Sequence, residues 1–540
     1  MDFVVPSLSY LKLAPFLVVI GAACLGILLE AFWPRKSRFV AQVALAVVAL
    51  AAAIGLTVWQ WRTSARGLAD PSASLTGVVH GTVMLDGPAQ AFWLILLAFT
   101  LIAVGLFAER RLHAGASAFA PMAAAIPGSK LEAEAEAAGR EHSEVFPLAL
   151  FSVAGMMLFA AANDLLVLFV ALEILSLPLY AMAGLARHRR LASGEAALKY
   201  FLLGAFASAI FLFGVACLFG YAGGFNYSTI AAAVTSPAQS DWLMLAGLGL
   251  IVVGLLFKLG AVPFHSWVPD VYQGAPTPVT AFMSVCTKVA AVAGLVRLLY
   301  ACLGGLVWTW APILAGVAIL TMVVGAVVAI NQTDVKRILA YSAVAHAGFI
   351  LVPVVGAFVA QSGMPAGQVG STAAILFYLA AYGFATIGAF AVVTLVRADG
   401  REVTDLDAWA GVGRRHPVIG VIMVIFLLSL AGIPLTGGFV GKLVAFMAAW
   451  NGGYWWLALV AVAASLVAVV IYLRIIQAMF FRRAPEGADV SGRGDVALSG
   501  PATWVVLAVC LIGTLFLGLV PGPVMSFFSQ ASAFLAAVGQ

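Results

Sequence analysis

The sequence predicts an all-α polytopic membrane protein with about 14 transmembrane helices, including two inverted five-helix repeats with broken helices 7 and 12. Three observations support this fold class. Of 540 residues, 63% are hydrophobic and 9% are charged, and the mean hydropathy is +1.08. Soluble domains are about 45–50% apolar and about 25% charged. Apolar runs of spanning length recur along the chain, and two of them are overlong and interrupted by glycine and proline.

The individual spans follow from the length of each apolar run. A helix needs roughly 20 apolar residues to cross the hydrocarbon core. Runs near this length lie at 14–33, 39–61, 89–108, 145–161, 164–185, 195–219, 242–272, 278–300, 308–330, 334–357, 371–396, 417–449, 454–480 and 502–528.

The basic residues predict the orientation. Of 28 Lys and Arg residues, 19 lie in the loops that follow odd-numbered spans, whereas the opposite side holds only Lys12, Arg62 and Arg66. Loops rich in Lys and Arg stay in the cytoplasm. We therefore expect both termini on the outer side of the membrane.

The two overlong runs, 242–272 and 417–449, are spans 7 and 12, and they contain LGAVPF and AGIPLTGGF. Paired broken spans in two halves of a chain indicate an inverted-repeat transporter core; proline kinks in an ordinary bundle are the alternative. The predicted units are spans 1–3 (1–108), a cytoplasmic connecting loop (109–145), a first repeat of spans 4–8 (146–301), a second, inverted repeat of spans 9–13 (302–480), and a loop with span 14 (481–540).

The connecting loop contains SKLEAEAEAAGREHSE, for which we expect a short exposed helix or irregular structure without chemistry of its own. Several function classes lack support in the sequence. No phosphate-binding glycine motif occurs, the five cysteines lack CxxC or CxxH spacing, and no basic stripe suits nucleic acid.

Ionisable residues inside predicted spans are the candidate functional residues, because a charge at the bilayer centre costs about 2.5–3.5 kcal/mol. Glu173 lies roughly 13 Å into span 5, near its middle. Lys258 precedes the first break, where freed carbonyls and water let a lysine gain and lose a proton beside a carboxylate. Lys288 lies centrally in span 8. A buried ion pair for Glu173, snorkelling for Lys258 and a structural hydrogen bond for Lys288 are the alternatives.

Four further residues extend this set. Lys442 follows the second break and is the counterpart of Lys258 in the repeat argument, which makes it a candidate proton exit. Lys199, four residues after Glu195, serves either as a relay or as half of an ordinary i, i+4 pair. His265 and His346 lie at membrane depth and can pass a proton through either ring nitrogen, or each satisfies a buried hydrogen bond. We expect no metal site, since no second ligand has suitable spacing.

The residues around both breaks also carry a family resemblance. FKLGAVPFHSWVPDVYQGAPTPVTAF, EAALKYFLLGAFAS and IPLTGGFVGK resemble segments of the N-type membrane subunits of bacterial NADH–quinone oxidoreductase, respiratory complex I. M-type subunits have a glutamate at the position of Lys442, and L-type subunits carry a long lateral helix after their last spans.

The resemblance implies an antiporter-like subunit that translocates protons while other subunits oxidise NADH and reduce quinone. It implies proton-path roles for Glu173, Lys258, Lys288 and Lys442, a lesser role for Lys199, and less firm roles for His265 and His346. FMN, iron–sulfur clusters, NADH and quinone are expected in other subunits, with no cofactor in this chain. The implied partners are an M-type neighbour, small K- and J-type subunits and the lipid bilayer. A cation/proton antiporter without redox coupling and a scaffold held by buried ion pairs are the alternatives.

Overall fold

The computed structural model describes residues 9–67, 81–113, 115–122, 124–126, 129–138, 141–235, 241–357, 369–482 and 494–532. These residues form a bundle of long helices. The helices of the first half are α1 (Tyr10–Phe32), α2 (Arg35–Gly67), α3 (Gly87–Phe107), α4 (Lys130–Ala137), α5 (Val145–Ala161), α6 (Leu165–Ala183), α7 (Arg190–Ala222), α8 (Tyr227–Val234), α9 (Asp241–Leu259), α10 (Trp267–Gly274) and α11 (Thr277–Arg297).

The second half continues in the same way. It contains α12 (Val307–Ile330), α13 (Val335–Gly356), α14 (Ser371–Leu395), α15 (Val412–Arg415), α16 (Pro417–Ala431), α17 (Gly437–Asn451), α18 (Trp455–Phe480), α19 (Pro501–Leu519) and α20 (Gly522–Gln530). Between α11 and α12 the chain forms one π-helical segment (Leu298–Cys302) and one 3₁₀ turn (Gly304–Leu306). Another 3₁₀ turn (Arg111–His113) follows α3.

Strands are few and short. Strand β1 (Val396–Ala398) pairs antiparallel with β2 (Arg401–Glu402) and with β3 (Asp495–Val496), so the sheet order is β2-β1-β3. Its register pairs Arg397 with Glu402 and Val396 with Val496. The sheet ties the loop after α14 to the loop before α19, on the side that the basic residues predict to be cytoplasmic.

The predicted helical membrane fold is confirmed. Every one of the predicted apolar runs contains a helix, and within the described part of the chain 12 helical segments are long and apolar enough to cross a membrane. Helices α5 and α16 are apolar but shorter. The number of 14 crossings therefore stays a prediction. The run predicted at 502–528 is divided, because α19 ends at Leu519 and α20 begins after Pro521.

Both predicted breaks are present. Helix α9 ends at Leu259 and α10 begins at Trp267, while α16 ends at Ala431 and α17 begins at Gly437. Each first half-helix is followed at once by a glycine with positive φ, Gly260 at +76° and Gly432 at +87°. Glycine reaches this left-handed conformation without a Cβ clash, so the backbone turns away and leaves the last helical carbonyls open. The inverted relation between the repeats stays a prediction.

Three helices form the centre of the bundle. Every residue of α11 is buried, and so are nearly all residues of α13 and α14. In contrast, α7 and α12 expose apolar side chains such as Phe206 and Ile313 along one face. Exposed apolar faces suit helices that border lipid or other subunits. Polar residues on the central helices are therefore far from lipid.

The connecting loop is more ordered than its composition alone indicates. Its Ala/Glu-rich part forms α4, whose first turn is capped by the Ser129 hydroxyl. Glu132 forms an ion pair with Arg190 at 3.2 Å, and Glu136 forms one with Arg187 at 3.6 Å. These contacts fix α4 against the loop that joins α6 and α7.

Candidate functional site

Three lysines lie buried in the bundle, next to the helix breaks. Lys258 is 3% exposed, Lys288 1% and Lys442 5%. An isolated ammonium in an apolar interior is strongly unfavourable, so each amine requires hydrogen-bond acceptors. The structure supplies those acceptors from hydroxyl groups and from the carbonyls at the breaks.

Lys258, near the end of α9, donates to the Ser176 hydroxyl of α6 at 2.6 Å. Ser176 in turn donates to the carbonyl of Leu172 in the preceding turn. The ammonium also lies above the rings of Tyr180 and Tyr200, 5.5 and 5.4 Å from their centroids. Both aromatic faces attract a cation. The protonated form of Lys258 is therefore supported without a direct carboxylate contact.

Glu173 lies one helical turn before Ser176 on α6. It is close enough to Lys258 to interact electrostatically, yet the two make no ion pair within 4.0 Å. Its Oε1 atom is buried and has no hydrogen-bond partner among the described residues. A buried acceptor without a partner costs about 1–3 kcal/mol. The described residues therefore leave one oxygen of Glu173 free to accept a hydrogen bond.

Lys288 of α11 donates to the carbonyl of Leu259 at 2.7 Å. Leu259 is the last residue of α9, and its carbonyl is free because the helix ends there. The break therefore supplies the acceptor for Lys288. Since Leu259 directly follows Lys258, the acceptor of Lys288 lies one residue from Lys258 in the chain.

Lys442 of α17 has matching contacts at the second break. Its amine donates to the carbonyl of Ala431, the last residue of α16, and to the Ser465 hydroxyl of α18, both at 2.8 Å. It also lies 4.8 Å above the centre of the Phe349 ring. The repeat argument makes Lys442 the counterpart of Lys258. In its contacts, however, Lys442 is more similar to Lys288, because both bind a carbonyl at a helix break.

His346 of α13 lies between these two groups, and its ring is surrounded by phenols. Its Nδ1 atom is 2.7 Å from the Tyr378 hydroxyl and its Nε2 atom 3.1 Å from the Tyr472 hydroxyl. Tyr472 is hydrogen-bonded to Ser342 at 2.6 Å. A neutral imidazole donates with one nitrogen and accepts with the other. One phenol therefore donates to the ring while the other accepts, and the tautomers interchange these roles.

Polar groups lie between His346 and both lysine groups. On one side the Tyr382 ring centroid is 4.9 Å from that of His346, and its hydroxyl donates to the carbonyl of Ser284 at 3.4 Å, one turn before Lys288. On the other side a cavity of about 10 Å³ is lined by His346 and Tyr378 and by residues that flank the second break, among them Ser429 and Gly438. This is about the space that one water molecule needs.

Lys199 and His265 lie outside the row of buried groups that runs from Lys258 through Lys288 and His346 to Lys442. The Lys199 side chain is 41% exposed and forms ion pairs with Glu195 at 2.6 Å and Asp270 at 2.8 Å. Asp270 is also paired with Arg337. His265 lies in the first break, half-buried, and its Nδ1 has no hydrogen-bond partner among the described residues. Its ring packs edge-on against Tyr341.

The hydroxyl partners were absent from the sequence prediction. They are Ser176, Tyr378, Tyr382, Ser465 and Tyr472. Helical spacing places several of them on the same helix face as a neighbouring polar residue: Ser176 is three residues after Glu173, and Tyr378 and Tyr382 are four residues apart. Their partners lie on other helices, so spacing alone does not identify which lysine or histidine each one serves. Within the described residues, no cluster of three His, Cys, Asp or Glu side chains could hold a metal ion.

Comparison with known proteins identifies the family. The family described as "NADH:quinone oxidoreductase/Mrp antiporter, TM" matches residues 162–468. NADH-quinone oxidoreductase subunit N of Cutibacterium acnes is 51% identical over 537 residues, which are 99% of this chain and 97% of that protein. Subunit N of a Nocardioides species is also 51% identical, over 538 residues covering 99% and 100%. The chain belongs to the NADH-quinone oxidoreductase subunit N family.

Solved structures agree with this membership in the subunit N family. A chain of respiratory complex I from Thermus thermophilus is 32% identical and superposes with a TM-score of 0.72, covering 97% of this chain and 100% of that one. A chain of the Mrp complex from a Dietzia species has a TM-score of 0.77 at 22% identity, covering 97% of each chain. The second match shows the fold alone. The predicted resemblance and the antiporter-like membrane fold are therefore confirmed.

Proposed function

We propose that this chain is the antiporter-like membrane subunit of a NADH–quinone oxidoreductase and that it moves protons through its buried Lys, Glu and His residues. Membership in the subunit N family supports the assignment to that complex. The observation that carries the proton-transfer role is the line of polar groups from Glu173 through Lys258, Lys288 and His346 to Lys442. Between Lys258 and Lys442, hydroxyls, break carbonyls and a water-sized cavity lie along it, whereas Glu173 acts on Lys258 through space without a direct contact.

The steps of the transfer follow from the chemistry of each group. A protonated Lys258 holds its proton while Ser176 and two aromatic rings stabilise the cation, and it releases the proton when Glu173 moves away or takes up a proton itself. Lys288 exchanges protons with Lys258 across the wet break. His346 passes a proton between its two nitrogens, with the phenols as donors and acceptors. Lys442 receives it at the second break, where Ser465 and the cavity offer a way out.

Redox chemistry belongs to other subunits in this proposal. FMN, iron–sulfur clusters, NADH and quinone are assigned to them, and this chain carries no redox centre. Its partners are an M-type antiporter-like neighbour and the small K- and J-type subunits, and its place is the bacterial inner membrane with both termini outside.

The proposal is tested by Lys258→Ala in the whole complex, measured in inverted membrane vesicles. We expect normal assembly with proton pumping and NADH-driven quinone reduction lowered about 10-fold or more, as for loss of a proton-transfer group. Lys36→Ala, an exposed lysine of α2, is the control and keeps both activities. A variant complex that pumps at the control rate contradicts the proposal.

A cation/proton antiporter without redox coupling is the second candidate, since the fold is shared with a chain of an Mrp complex. The discriminating experiment is sodium-dependent proton exchange by the purified chain in liposomes. Exchange that is independent of NADH and quinone supports the antiporter, and its absence together with pumping by the whole complex supports the oxidoreductase subunit. Loss of assembly in Lys258→Ala would instead indicate the scaffold role.

A further inference from the structure

A cavity of about 440 Å³ lies on the predicted cytoplasmic side, well away from the lysine line. Its walls come from the loop after α3, the loop between α6 and α7, the first turns of α11 and α13, and the sheet after α14. The volume is within the range of small-molecule sites, about 300–1,000 Å³. Because the buried helices α11, α13 and α14 form its floor, the cavity lies over the centre of the bundle rather than at its lipid-facing edge.

The lining is strongly cationic. Five basic side chains face two carboxylates, those of Glu109 and Glu402. Both carboxylates are already engaged: Glu109 accepts from the Gly500 amide and the Thr503 hydroxyl, and Glu402 accepts from the Thr277 hydroxyl at 2.6 Å. A surplus of positive charge in a recess attracts anions more strongly than the same charge on an open surface.

Arg397 shows that this charge is only partly balanced within the chain, because Glu402 and Glu109 act on it from beyond ion-pair distance. It is 5% exposed, and its donors go to the carbonyls of Thr394, Leu112 and Gly400 and to the His113 ring. No carboxylate forms an ion pair with it among the described residues. Retaining a buried cation without an anion is costly. An anion from outside the chain would offset this cost.

Two buried nitrogen atoms in the lining have no hydrogen-bond partner among the described residues. Arg187 is 9% exposed; its Nε donates to the carbonyl of Ser117 and its Nη1 lies 3.6 Å from the exposed carboxylate of Glu136, but its Nη2 is one of the two atoms without a partner. His113 accepts from Arg397 at Nε2, so its other nitrogen, Nδ1, carries the proton, and that atom is also buried without a partner. The His113 ring stacks on His188 at 5.7 Å, and burial together with the Arg397 and Arg187 charges lowers the pKa of His188. The pair of rings thus adds neutral donors beside the guanidinium.

We propose that this cavity binds a phosphate-bearing anion, held by Arg187, His113 and the field of Arg397 and Arg401. A phosphate matches the arrangement because it accepts several hydrogen bonds and pairs with a guanidinium fork. The position over the central helices favours a soluble phosphate compound over a lipid headgroup, whose acyl chains would have to reach the bundle edge. This site is independent of the proton-transfer role proposed above.

The test measures binding of inorganic phosphate to the purified whole complex by titration calorimetry at constant ionic strength, with chloride as the balancing ion. We expect saturable binding that Arg187→Gln weakens about 10-fold or more, as for loss of a hydrogen bond to a charged group. Arg401→Gln, at the exposed mouth, is the second variant and weakens binding without removing a buried contact. Arg187→Lys keeps part of the affinity, since the charge remains.

Arg482→Gln is the matched control, because Arg482 is a basic residue of the same side that is paired with Asp407 outside the cavity. Equal phosphate affinity in all variants, or displacement of phosphate by chloride alone, overturns the proposal. A second arm titrates delipidated complex with phosphatidylglycerol. Saturable lipid binding that is sensitive to Arg187 and Arg401, without phosphate binding, keeps the phosphate chemistry and assigns the source to a headgroup. If neither inorganic phosphate nor phosphatidylglycerol binds, the proposed anion site is wrong, whether or not Lys258→Ala pumps protons.

Discussion

At the scale of single residues, Ser176 is the clearest addition to the candidate site. Its hydroxyl is the hydrogen-bond acceptor for Lys258 at 2.6 Å, and it lies on the same helix as Glu173. Ser176→Ala removes that acceptor and leaves the two charged groups in place. Loss of a hydrogen bond to a charged group costs about 1.5–3 kcal/mol. We expect proton pumping by the whole complex to fall about 10-fold, measured as vesicle acidification per assembled complex.

A serine outside the line gives the control for this prediction. Ser526 of α20 is exposed and donates only to the nearby carbonyl of Pro523, so Ser526→Ala leaves pumping unchanged. Ser176→Thr keeps the hydroxyl and restores most of the activity. If Ser176→Ala pumps as well as the wild type, the hydroxyl does not take part in the transfer and Lys258 depends on other acceptors.

Lys199 and Lys258 make a second comparison between single residues. Lys199 is 41% exposed and sits in an ion-pair cluster with Glu195 and Asp270. Exposed ion pairs contribute little to stability, because water and salt screen them. We therefore expect Lys199→Ala to keep pumping within about 2-fold of the wild type, in contrast to Lys258→Ala. A loss of pumping in Lys199→Ala equal to that in Lys258→Ala, at normal assembly, would move Lys199 onto the proton path.

Single residues also show how much of the candidate site could be predicted from the sequence. Glu173, Lys258, Lys288 and Lys442 stand out because charged residues are rare in apolar runs, and the structure places all three of these lysines in the interior. Their acceptors do not stand out, since serine and tyrosine are common in membrane helices. Ser465 lies 23 positions after Lys442, and only the packing of α17 on α18 brings their side chains together.

At the scale of elements, the first break leaves free the Leu259 carbonyl that binds Lys288. Gly260 has φ +76°, and a Cβ there would lie 2.8 Å from a methyl group of Val268. Gly260→Ala therefore strains the turn by about 1–2 kcal/mol and displaces the Leu259 carbonyl, the acceptor for Lys288. We expect a lower thermal midpoint and reduced pumping per assembled complex, measured by thermal unfolding and by vesicle acidification.

Gly249 provides the matched control on the same helix. It lies in the middle of α9, where a Cβ would meet nothing within 4 Å. Gly249→Ala follows ordinary helix propensity and does not destabilise the protein. Identical behaviour of the two variants would contradict a special role for the turn at Gly260.

The helices and the two helix breaks were the features that could be predicted best from the sequence. Apolar length located the helices, and LGAVPF and AGIPLTGGF located both breaks, because glycine and proline there stop the helical hydrogen bonds. The connecting loop was harder, since α4 is polar and short. Its order comes from ion pairs of Glu132 and Glu136 with the distant Arg190 and Arg187. Such pairs depend on how the loops meet and leave no local pattern.

At the scale of the whole molecule, the buried polar groups proposed to transfer protons and the cationic cavity share the same central helices. Helices α11, α13 and α14 carry Lys288, His346 and Tyr382 in their middle parts, while the first turns of α11 and α13 form part of the cavity floor. The surrounding helices shield both regions from lipid. This layout keeps polar groups where hydroxyls, carbonyls and water can serve them.

One buried ion pair holds this layout together at the opposite end of α11. Arg297, the last residue of α11, pairs with Asp86, which also caps α3 by accepting from the Ala89 amide. The two side chains are 1% and 0% exposed. Arg297 further donates to the carbonyl of Ala160 at the end of α5. The pair therefore joins three helices at one point.

Arg297→Met leaves the Asp86 carboxylate buried without its cation, and breaking a buried pair in this way costs about 3–5 kcal/mol. We expect a large loss of assembled complex in the membrane, measured by quantitative immunoblotting of purified membranes. Arg482→Met, in an exposed pair with Asp407, changes the amount little. The double variant Asp86→Asn/Arg297→Met recovers part of the assembly, because no unpaired charge remains. Complex that assembles normally in Arg297→Met but fails to pump would instead place this pair in the proton path.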